Sequence, residues 1–236
     1  MLTDGRFAEA EKAYRALPAD STLRRGADQG PALVAALGIY KARFHSGDWA
    51  GAEAVLREFI AGYDPTSAPF RSGLLSARRE LAHVRLHRGE YEEAVGELRE
   101  IAAECRQRWG EVSLHCIIAH SVLGEALSVA GYSDEAVTVQ RQVVGRIGGV
   151  PGISSKQSDF ARVLLASRLI KAGRVDEAEQ ELVGVVPTLE ATATEAALTL
   201  RSVLAELTTK QGRHQDAARQ WAELLPAYAE RHVGVA

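Results

Sequence analysis

Asparagine is missing from the sequence, and cysteine and methionine are scarce. The two cysteines, Cys105 and Cys116, are too few for a disulfide framework and lack the paired spacing of a zinc or redox motif. We therefore predict two reduced cysteines used for packing. No apolar stretch approaches the roughly eighteen residues of a membrane span, and the first thirty residues show no signal-peptide pattern. These absences predict a soluble, cytoplasmic protein without a thiolate metal site.

An excess of one charge is also absent. The 236 residues carry 28 basic and 31 acidic side chains, interspersed along the chain, for a net charge of −3. Binding of nucleic acid or membrane through bulk electrostatics needs a basic excess, so neither class of partner is expected. Most basic residues are arginines, and together with the missing asparagine this bias is typical of proteins from high-GC bacteria.

The strongest positive feature is a repeat. Six times a glycine is followed five residues later by an alanine, and the glycines are 42, 42, 42, 42 and 39 residues apart. A fixed period in this range indicates an array of stacked units and not a single globular core. The pairs are Gly5/Ala10, Gly47/Ala52, Gly89/Ala94, Gly131/Ala136, Gly173/Ala178 and Gly212/Ala217.

Two helical patterns lie between consecutive glycines. After the glycine, apolar residues are spaced by three and four, as in Ala94, Leu98 and Ile101, and a second stripe that includes Ala77 and Leu81 precedes it. Small residues at fixed places allow close approach of two helices. We predict antiparallel helix hairpins, each with a glycine in the turn that ends its first helix.

The repeat sets the predicted organisation, a single all-α array over residues 1–236. Residues 1–30 would form the second helix of an incomplete first unit, so the array begins in the middle of a unit. We expect an excised part of a longer protein or an end covered by a partner chain. Complete hairpins are predicted at 31–66, 67–110, 111–154, 155–188 and 189–232, with a tail at 233–236.

One unit carries a family resemblance. Its large-small pair Leu81-Ala82, followed by the Gly-x-aromatic-x-x-Ala stretch 89–94, resembles the tetratricopeptide repeat (TPR). The 42-residue spacing is similar to the kinesin-light-chain-like subclass, which in bacteria often forms the sensor arm of larger regulatory proteins. The resemblance covers essentially the whole chain. It implies a right-handed α-solenoid whose first helices line a concave groove that binds proteins.

The peptide-gripping residues of such repeats are not matched. Kinesin-light-chain-like repeats carry paired asparagines in the first helix, and chaperone-binding repeats carry a lysine/asparagine clamp. Leu37 and Lys41 occupy the clamp positions, so recognition of chaperone tails is not expected. The pairs at the asparagine positions are Leu37-Gly38, Arg79-Glu80, Ser121-Val122, Val163-Leu164 and Ser202-Val203.

Candidate binding residues follow from the register of the first helices. Arginines crowd the helix that contains His83 and His87, which favours an acidic segment or carboxylate as ligand. These two histidines share a helical face, and His45 would approach from the neighbouring helix, so a pH-responsive contact is an alternative. The candidates are Lys41, His45, Arg79, His83, His87, Ser121, Glu125, Ser167, Lys171, Ser202, Glu206 and Lys210.

The two ends of the array are further candidates, because terminal units normally present a polar outer face. Apolar residues lie at both ends instead, and we expect contacts with a partner there. They are Phe7, Tyr14 and Leu17 at the first end and Trp221, Leu225 and Tyr228 at the other.

No catalytic pattern is found. The glycines stand singly at turns, without the following lysine of a phosphate-binding loop, and no serine lies in a nucleophile elbow. Acidic pairs such as Glu92-Glu93 fall in the first turn of a helix, where they suit the helix dipole. We predict a non-catalytic module without metal or cofactor that binds a protein or peptide. Alternatives are the sensing or autoinhibitory arm of a larger bacterial regulator, and a self-associating scaffold.

Overall fold

The computed structural model describes residues 12, 30–62, 71–189 and 195–232, except for the side chains of 30–32, 71, 195 and 227–232. The predicted end contacts Phe7, Tyr14 and Leu17, and the Tyr228 side chain, lie outside the described residues. Every regular element within these ranges is helical, as predicted. The helices are α1 (Gly30–His45), α2 (Trp49–Ala61), α3 (Arg71–His87), α4 (Tyr91–Trp109), α5 (Leu114–Val129), α6 (Ser133–Ile147), α7 (Ser155–Lys171), α8 (Val175–Val183), α9 (Val186–Leu189), α10 (Glu195–Lys210) and α11 (His214–His232).

The chain divides into two compact units, Met1–Ile101 with Arg231–Ala236, and Ala102–Glu230. In the first unit, α3 packs on the α1–α2 hairpin through Tyr40, Ala52, Leu56, Ala77, Leu81 and Val84. In the second unit, α7 packs on the α5–α6 hairpin through Ile117, Val143, Ile147, Val150 and Ala161. A further core in the second unit joins α7, α8, α9 and α10 and includes Leu165, Leu169, Leu182, Leu189 and Leu200.

The hairpin turns are closed by backbone hydrogen bonds around a glycine. Gly47, Gly89, Gly131, Gly173 and Gly212 all have φ between 75° and 89°, the left-handed region that side chains with a Cβ avoid. In each turn the next residue donates its N–H to the carbonyl five residues earlier, as from Tyr132 to Leu127 at 2.8 Å. A Cβ at these glycines would meet nothing within 4 Å. The backbone angle, and not lack of space, therefore demands glycine.

The repeat alanines are buried where the two helices of a hairpin meet. Ala52, Ala94, Ala136, Ala178 and Ala217 are each no more than 3% exposed. A larger side chain there would push the helices apart, since the side chains at the contact set the interaxial distance. The glycine and alanine of the repeat thus have separate tasks, one in the turn and one in the packing.

In two of the hairpins, an ion pair joins the first helix to the second. Arg78 Nε lies 2.5 Å from Glu97 Oε1, and Arg162 Nε lies 3.1 Å from Glu181 Oε2. In both hairpins the arginine precedes the turn glycine by eleven residues and the glutamate follows it by eight. The same level of the α3–α4 and α7–α8 hairpins is therefore tied in the same way.

A second recurring contact links a hairpin to the turn of the next hairpin. Arg88 NH1 donates to Glu53 in the first unit, and Gln211 Nε2 donates to Glu179 Oε2 at 3.2 Å in the second. Each carboxylate lies six residues after one turn glycine, and each donor lies immediately before the next turn glycine. The register that sets the turns thus also sets polar contacts between neighbouring hairpins.

The hairpin that begins with α7 has an interrupted second helix. Gly184 and Val185 separate α8 from the short helix α9, and Pro187 lies at the second position of α9. Proline is tolerated in a first turn because the N–H it lacks has no helical partner there. Among the described helices, none has the length and apolar composition needed to cross a bilayer.

Candidate functional site

The predicted groove residues are accessible. They lie on α1, α3, α5, α7 and α10, the first helices of the hairpins, and none of them is buried. The side chains of Lys41, His45, His87, Glu125, Lys171 and Lys210 are exposed, and those of Arg79, His83, Ser121, Ser167, Ser202 and Glu206 are half-buried. The same helical register therefore presents side chains to solvent in both units.

In the first unit this face carries a group of rings, Phe44, Trp49, His83 and His87, which we term the histidine shelf. Phe44 stacks on His83 with ring centroids 5.1 Å apart and meets His87 edge-on at 4.7 Å. The two imidazoles are 4.9 Å apart, and Trp49 lies 6.1 Å from His87. Trp49 is 40% exposed, so the shelf offers aromatic surface to a ligand.

A polar network holds the inner side of the shelf. Tyr40 Oη donates to Glu80 Oε2 at 3.0 Å and lies 3.4 Å from His83 Nδ1, while Arg79 NH2 donates to Glu80 Oε1 at 2.8 Å. Burial of the phenol, followed by the Glu80 charge, raises the pKa of Tyr40 well above its ordinary value. Tyr40 therefore stays a neutral hydrogen-bond donor, and its hydroxyl lies between Glu80 and His83.

The arginines near the shelf have carboxylate partners. This pairing lowers the net positive charge that the sequence predicts near the shelf, because three of these guanidinium groups contact carboxylates. Arg78 pairs with Glu97 and Glu100, Arg79 with Glu80, and Arg88 with Glu53 and Glu90. The histidine shelf is thus more aromatic and less basic than the arginine count suggests.

The second unit uses the same register differently. Ser128, Ser167 and Lys171 stand where the first unit has Phe44, His83 and His87. Arg168 is only 6% exposed, and its Nε has no hydrogen-bond partner. Burial lowers the pKa of Arg168, and the charge of Glu125 opposes that shift. In the second unit these positions therefore carry polar side chains and no aromatic rings, and a neighbouring residue of the same helix, Arg168, is buried.

Both cysteines are free and buried. Cys116 Sγ lies 3.4 Å from His120 Nδ1, but His120 Nδ1 also lies 2.8 Å from the Cys116 carbonyl, and both residues are buried. Burial raises the pKa of the Cys116 thiol. The pair is thus a packing contact, because an exposed thiolate nucleophile needs the opposite shift. Within the described residues no group of three or more His, Cys, Asp and Glu side chains could hold a metal ion.

At the last hairpin, apolar residues face solvent. Trp221 is 40% exposed, whereas Leu56, Leu98, Gln140 and Leu182, at the same distance from their turn glycines, are at most 2% exposed. Leu225 is also exposed. Beside them, a shallow hollow is lined by Arg201, Leu204, Gln220, Glu223 and Leu224.

Comparison with known proteins agrees with this architecture. A family model described as tetratricopeptide repeat matches residues 75–100, which contain parts of α3 and α4 with the Gly89 turn between them. The fold is that of a tetratricopeptide-repeat solenoid. No curated protein matches the chain.

Two solved structures show how far the TPR-like fold extends. BtubC (BKLC) from P. vanneervenii aligns over 97% of this chain and 90% of its own, with a TM-score of 0.67 and 14% identity. A Podosopora anserina protein described as a kinesin light chain with nearly identical TPR-like repeats aligns over 84% of this chain and 96% of its own. Its TM-score is 0.65 and its identity 21%. The predicted TPR-like fold is confirmed.

Sequence reasoning found the histidines of the TPR face but missed the rings beside them. Trp49 occupies the aromatic position of the Gly-x-aromatic-x-x-Ala pattern, which recurs with the repeat and so does not mark it as a binding residue. Phe44 stands three residues before its turn glycine, where Leu86 and Ser128 stand in the next two hairpins, so it leaves no periodic signal. Aligning aromatic residues on both sides of each turn would have brought Phe44, Trp49 and His87 together.

Proposed function

We propose that this protein is a non-catalytic interaction module that binds a protein or peptide segment on the face formed by the first helices of its hairpins. The carrying observation is the histidine shelf, where the exposed His87 contacts both Phe44 of α1 and the exposed Trp49 at the start of α2. Tryptophan and other aromatic residues are enriched among the residues that dominate protein interfaces. TPR repeats generally mediate protein–protein contacts, which supports a protein partner.

The remaining candidate face residues extend the proposed binding surface beyond the shelf. Ser121, Glu125, Ser167, Lys171, Ser202, Glu206 and Lys210 supply hydroxyl and charged groups that suit side-chain and backbone recognition. The proposed setting is the cytoplasm of a bacterium, consistent with the arginine-rich composition and the two free cysteines.

A second candidate is contact through the last hairpin, with a second copy or another domain of a larger regulator. Its supporting observation is the exposure of Trp221 and Leu225 at positions that neighbouring hairpins cover elsewhere. A partner at this end would bury the position of Trp221, as the equivalent positions are buried in the earlier hairpins.

Two double variants separate the shelf from the end. Trp49→Ala/His87→Ala removes the exposed part of the shelf, and Trp221→Ala/Leu225→Ala removes the end patch, so each is the matched control for the other. The two tryptophans are equally exposed, at 40%. Peptides are selected from a phage-displayed library of random 12-residue sequences, and affinities are measured by fluorescence anisotropy on synthetic peptides.

We expect Trp49→Ala/His87→Ala to weaken binding at least about tenfold and the end variant to leave it unchanged, because a central tryptophan typically contributes more than about 1.4 kcal/mol. A library without a binding peptide, or equal affinity for both variants, would contradict binding at the shelf. Loss with the end variant alone would transfer the function to the last hairpin.

A further inference from the structure

The imidazoles are the side chains of the histidine shelf that can gain a positive charge by binding a proton. His83 and His87 lie 4.9 Å apart, and the exposed His45 ring lies 5.8 Å from Phe44. Imidazole is the side chain that ordinarily changes charge between pH 5 and 8. Protonation of this group therefore brings several positive charges together on one accessible face.

The other charges around the shelf nearly cancel. Among the described residues, five cations and four carboxylates surround the rings, and most of them contact one another. They are Lys41 and Arg43 of α1, Asp48 in the first turn, Glu53 and Arg57 of α2, Arg79 and Glu80 of α3, and Arg88 and Glu90 in the second turn. The phenols of Tyr40 and Tyr91 complete the titratable groups. The protonation state of the imidazoles thus decides how positive the shelf is.

Glu80 shares the Tyr40 hydroxyl with His83 and has its own partners. Glu80 accepts from Tyr40 Oη through one oxygen and from Arg79 through the other. Only the first of these contacts also approaches His83, through the Tyr40 hydroxyl at 3.4 Å. A carboxylate from outside can therefore pair with protonated imidazole on the solvent side, where His87 is exposed.

We infer that the histidine shelf binds an acidic peptide segment through a carboxylate side chain and takes up protons as it does so, so that binding strengthens as the pH falls from 8 to 6. The apolar neighbours of that carboxylate would lie against Phe44 and Trp49. This inference rests on the proposed function and names the ligand chemistry and the regulation of the same site.

The direction of the pH dependence follows from the thermodynamic linkage between proton binding and peptide binding. A bound carboxylate favours the protonated ring, so the complex holds more protons than the free protein at neutral pH. Affinity therefore rises as the pH falls through the range in which an imidazole ordinarily gains its charge. Asp and Glu side chains of the peptide remain ionised at pH 6, so the ligand keeps its charge over this range.

The test uses peptides selected from the random 12-residue library at pH 6.0, each synthesised with its Glu and Asp residues intact and again as Gln and Asn. Anisotropy titrations at pH 6.0, 7.0 and 8.0 use the full chain, the variant His83→Gln/His87→Gln and the control His214→Gln. His214 is exposed at the start of α11, which belongs to the second unit. Circular dichroism melting at each pH establishes that every variant is folded.

We expect about tenfold tighter binding at pH 6.0 than at pH 8.0 for the wild type and His214→Gln, the change that net uptake of one proton by the complex produces over one pH unit. The shelf variant should lose this dependence, and the amide peptides should bind weakly at every pH. Peptides that bind equally as amides, or a pH dependence that survives in His83→Gln/His87→Gln, would overturn the inference while leaving groove binding intact. Failure to select any peptide would overturn both proposals.

Discussion

The packing of α3 on the α1–α2 hairpin and the packing of α7 on the α5–α6 hairpin use one backbone register with different side chains. Both hairpins have the glycine turn, the closing hydrogen bond and the buried alanine. At four equivalent positions the first has apolar or aromatic residues, whereas the second has three polar side chains and a glycine. The equivalent pairs are Tyr40 and Gly124, Phe44 and Ser128, Leu56 and Gln140, and Val84 and Arg168.

The polar groups of the second packing are incompletely satisfied. Gln140 Nε2 donates to the Ala161 carbonyl at 3.0 Å, but Gln140 Oε1 has no hydrogen-bond partner and the residue is fully buried. Ser128 Oγ and Arg168 Nε are also buried without partners. Unpaired buried polar atoms cost stability. The comparison teaches that the repeat fixes the backbone arrangement, while the composition of each contact sets its strength.

Leu56→Gln carries the largest expected effect, because it copies the polar residue of the second packing into the first. Loss of a fully buried leucine together with burial of an amide should lower the free energy of unfolding by about 3 kcal/mol. Urea denaturation followed by circular dichroism measures the change. Ala54→Gln, at an exposed position of the same helix, should change it by less than about 0.5 kcal/mol. Equal losses for the two variants would contradict the contrast.

Arg168→Leu should raise the free energy of unfolding, whereas Leu56→Gln lowers it. It gives the second packing the apolar residue found at the equivalent position in the last hairpin, Leu207, and removes a buried charge. We expect the free energy of unfolding to rise by about 2 kcal/mol, since replacing a poorly paired buried ion by a hydrophobic residue is often stabilising.

Arg162→Leu on the same helix is the control for Arg168→Leu. It removes only the half-exposed ion pair with Glu181 and should change stability by about 0.5 kcal/mol or less. A destabilised Arg168→Leu protein would show that the guanidinium has compensating partners in solution, and the two packings would then be closer in strength than their side chains indicate.

Gly47→Ala and Gly131→Ala should have the smallest effect, and the same one in both units. Each forces a Cβ into the left-handed region, where an L-residue costs about 1–2 kcal/mol, with no steric contact to add to it. Gly145→Ala, in the exposed last turn of α6, should instead raise stability by up to about 0.5 kcal/mol, because alanine is the better helix former. Thermal and urea unfolding of the three variants compares them directly, and unequal costs at the two turns would mean that the turns are not equivalent.

The parts of this molecule that repeat could be predicted from the sequence. The positions of the turn glycines, buried alanines and helices follow from constraints that recur in every unit, so periodicity reveals them. The carboxylate partners of the arginines near the shelf could not be predicted, because Arg78 meets Glu97 across a hairpin and Arg88 meets Glu53 of an earlier helix. Those partners become visible only when the antiparallel register of the helices is known.

The histidine shelf is a second feature that the sequence predicts only in part. His83 and His87 could be placed on one face by their spacing, but Phe44 and Trp49 lie on opposite sides of the first turn. Their approach to His87 depends on how α3 packs against the α1–α2 hairpin. Individual side-chain contacts of this kind occur once in the chain and leave no repeating pattern.

The ion pairs of Arg78 with Glu97 and of Arg162 with Glu181 give two of the hairpins the same internal contact between their helices. Each carries its own turn, its own buried alanine and its own ion pair at the same level, so the contact that aligns its two helices lies within the hairpin. Exchange of residues 71–109 for 155–189 would therefore transplant a hairpin with its alignment intact. Evolution by duplication and shuffling could proceed in such steps, changing the binding face without redesigning the scaffold.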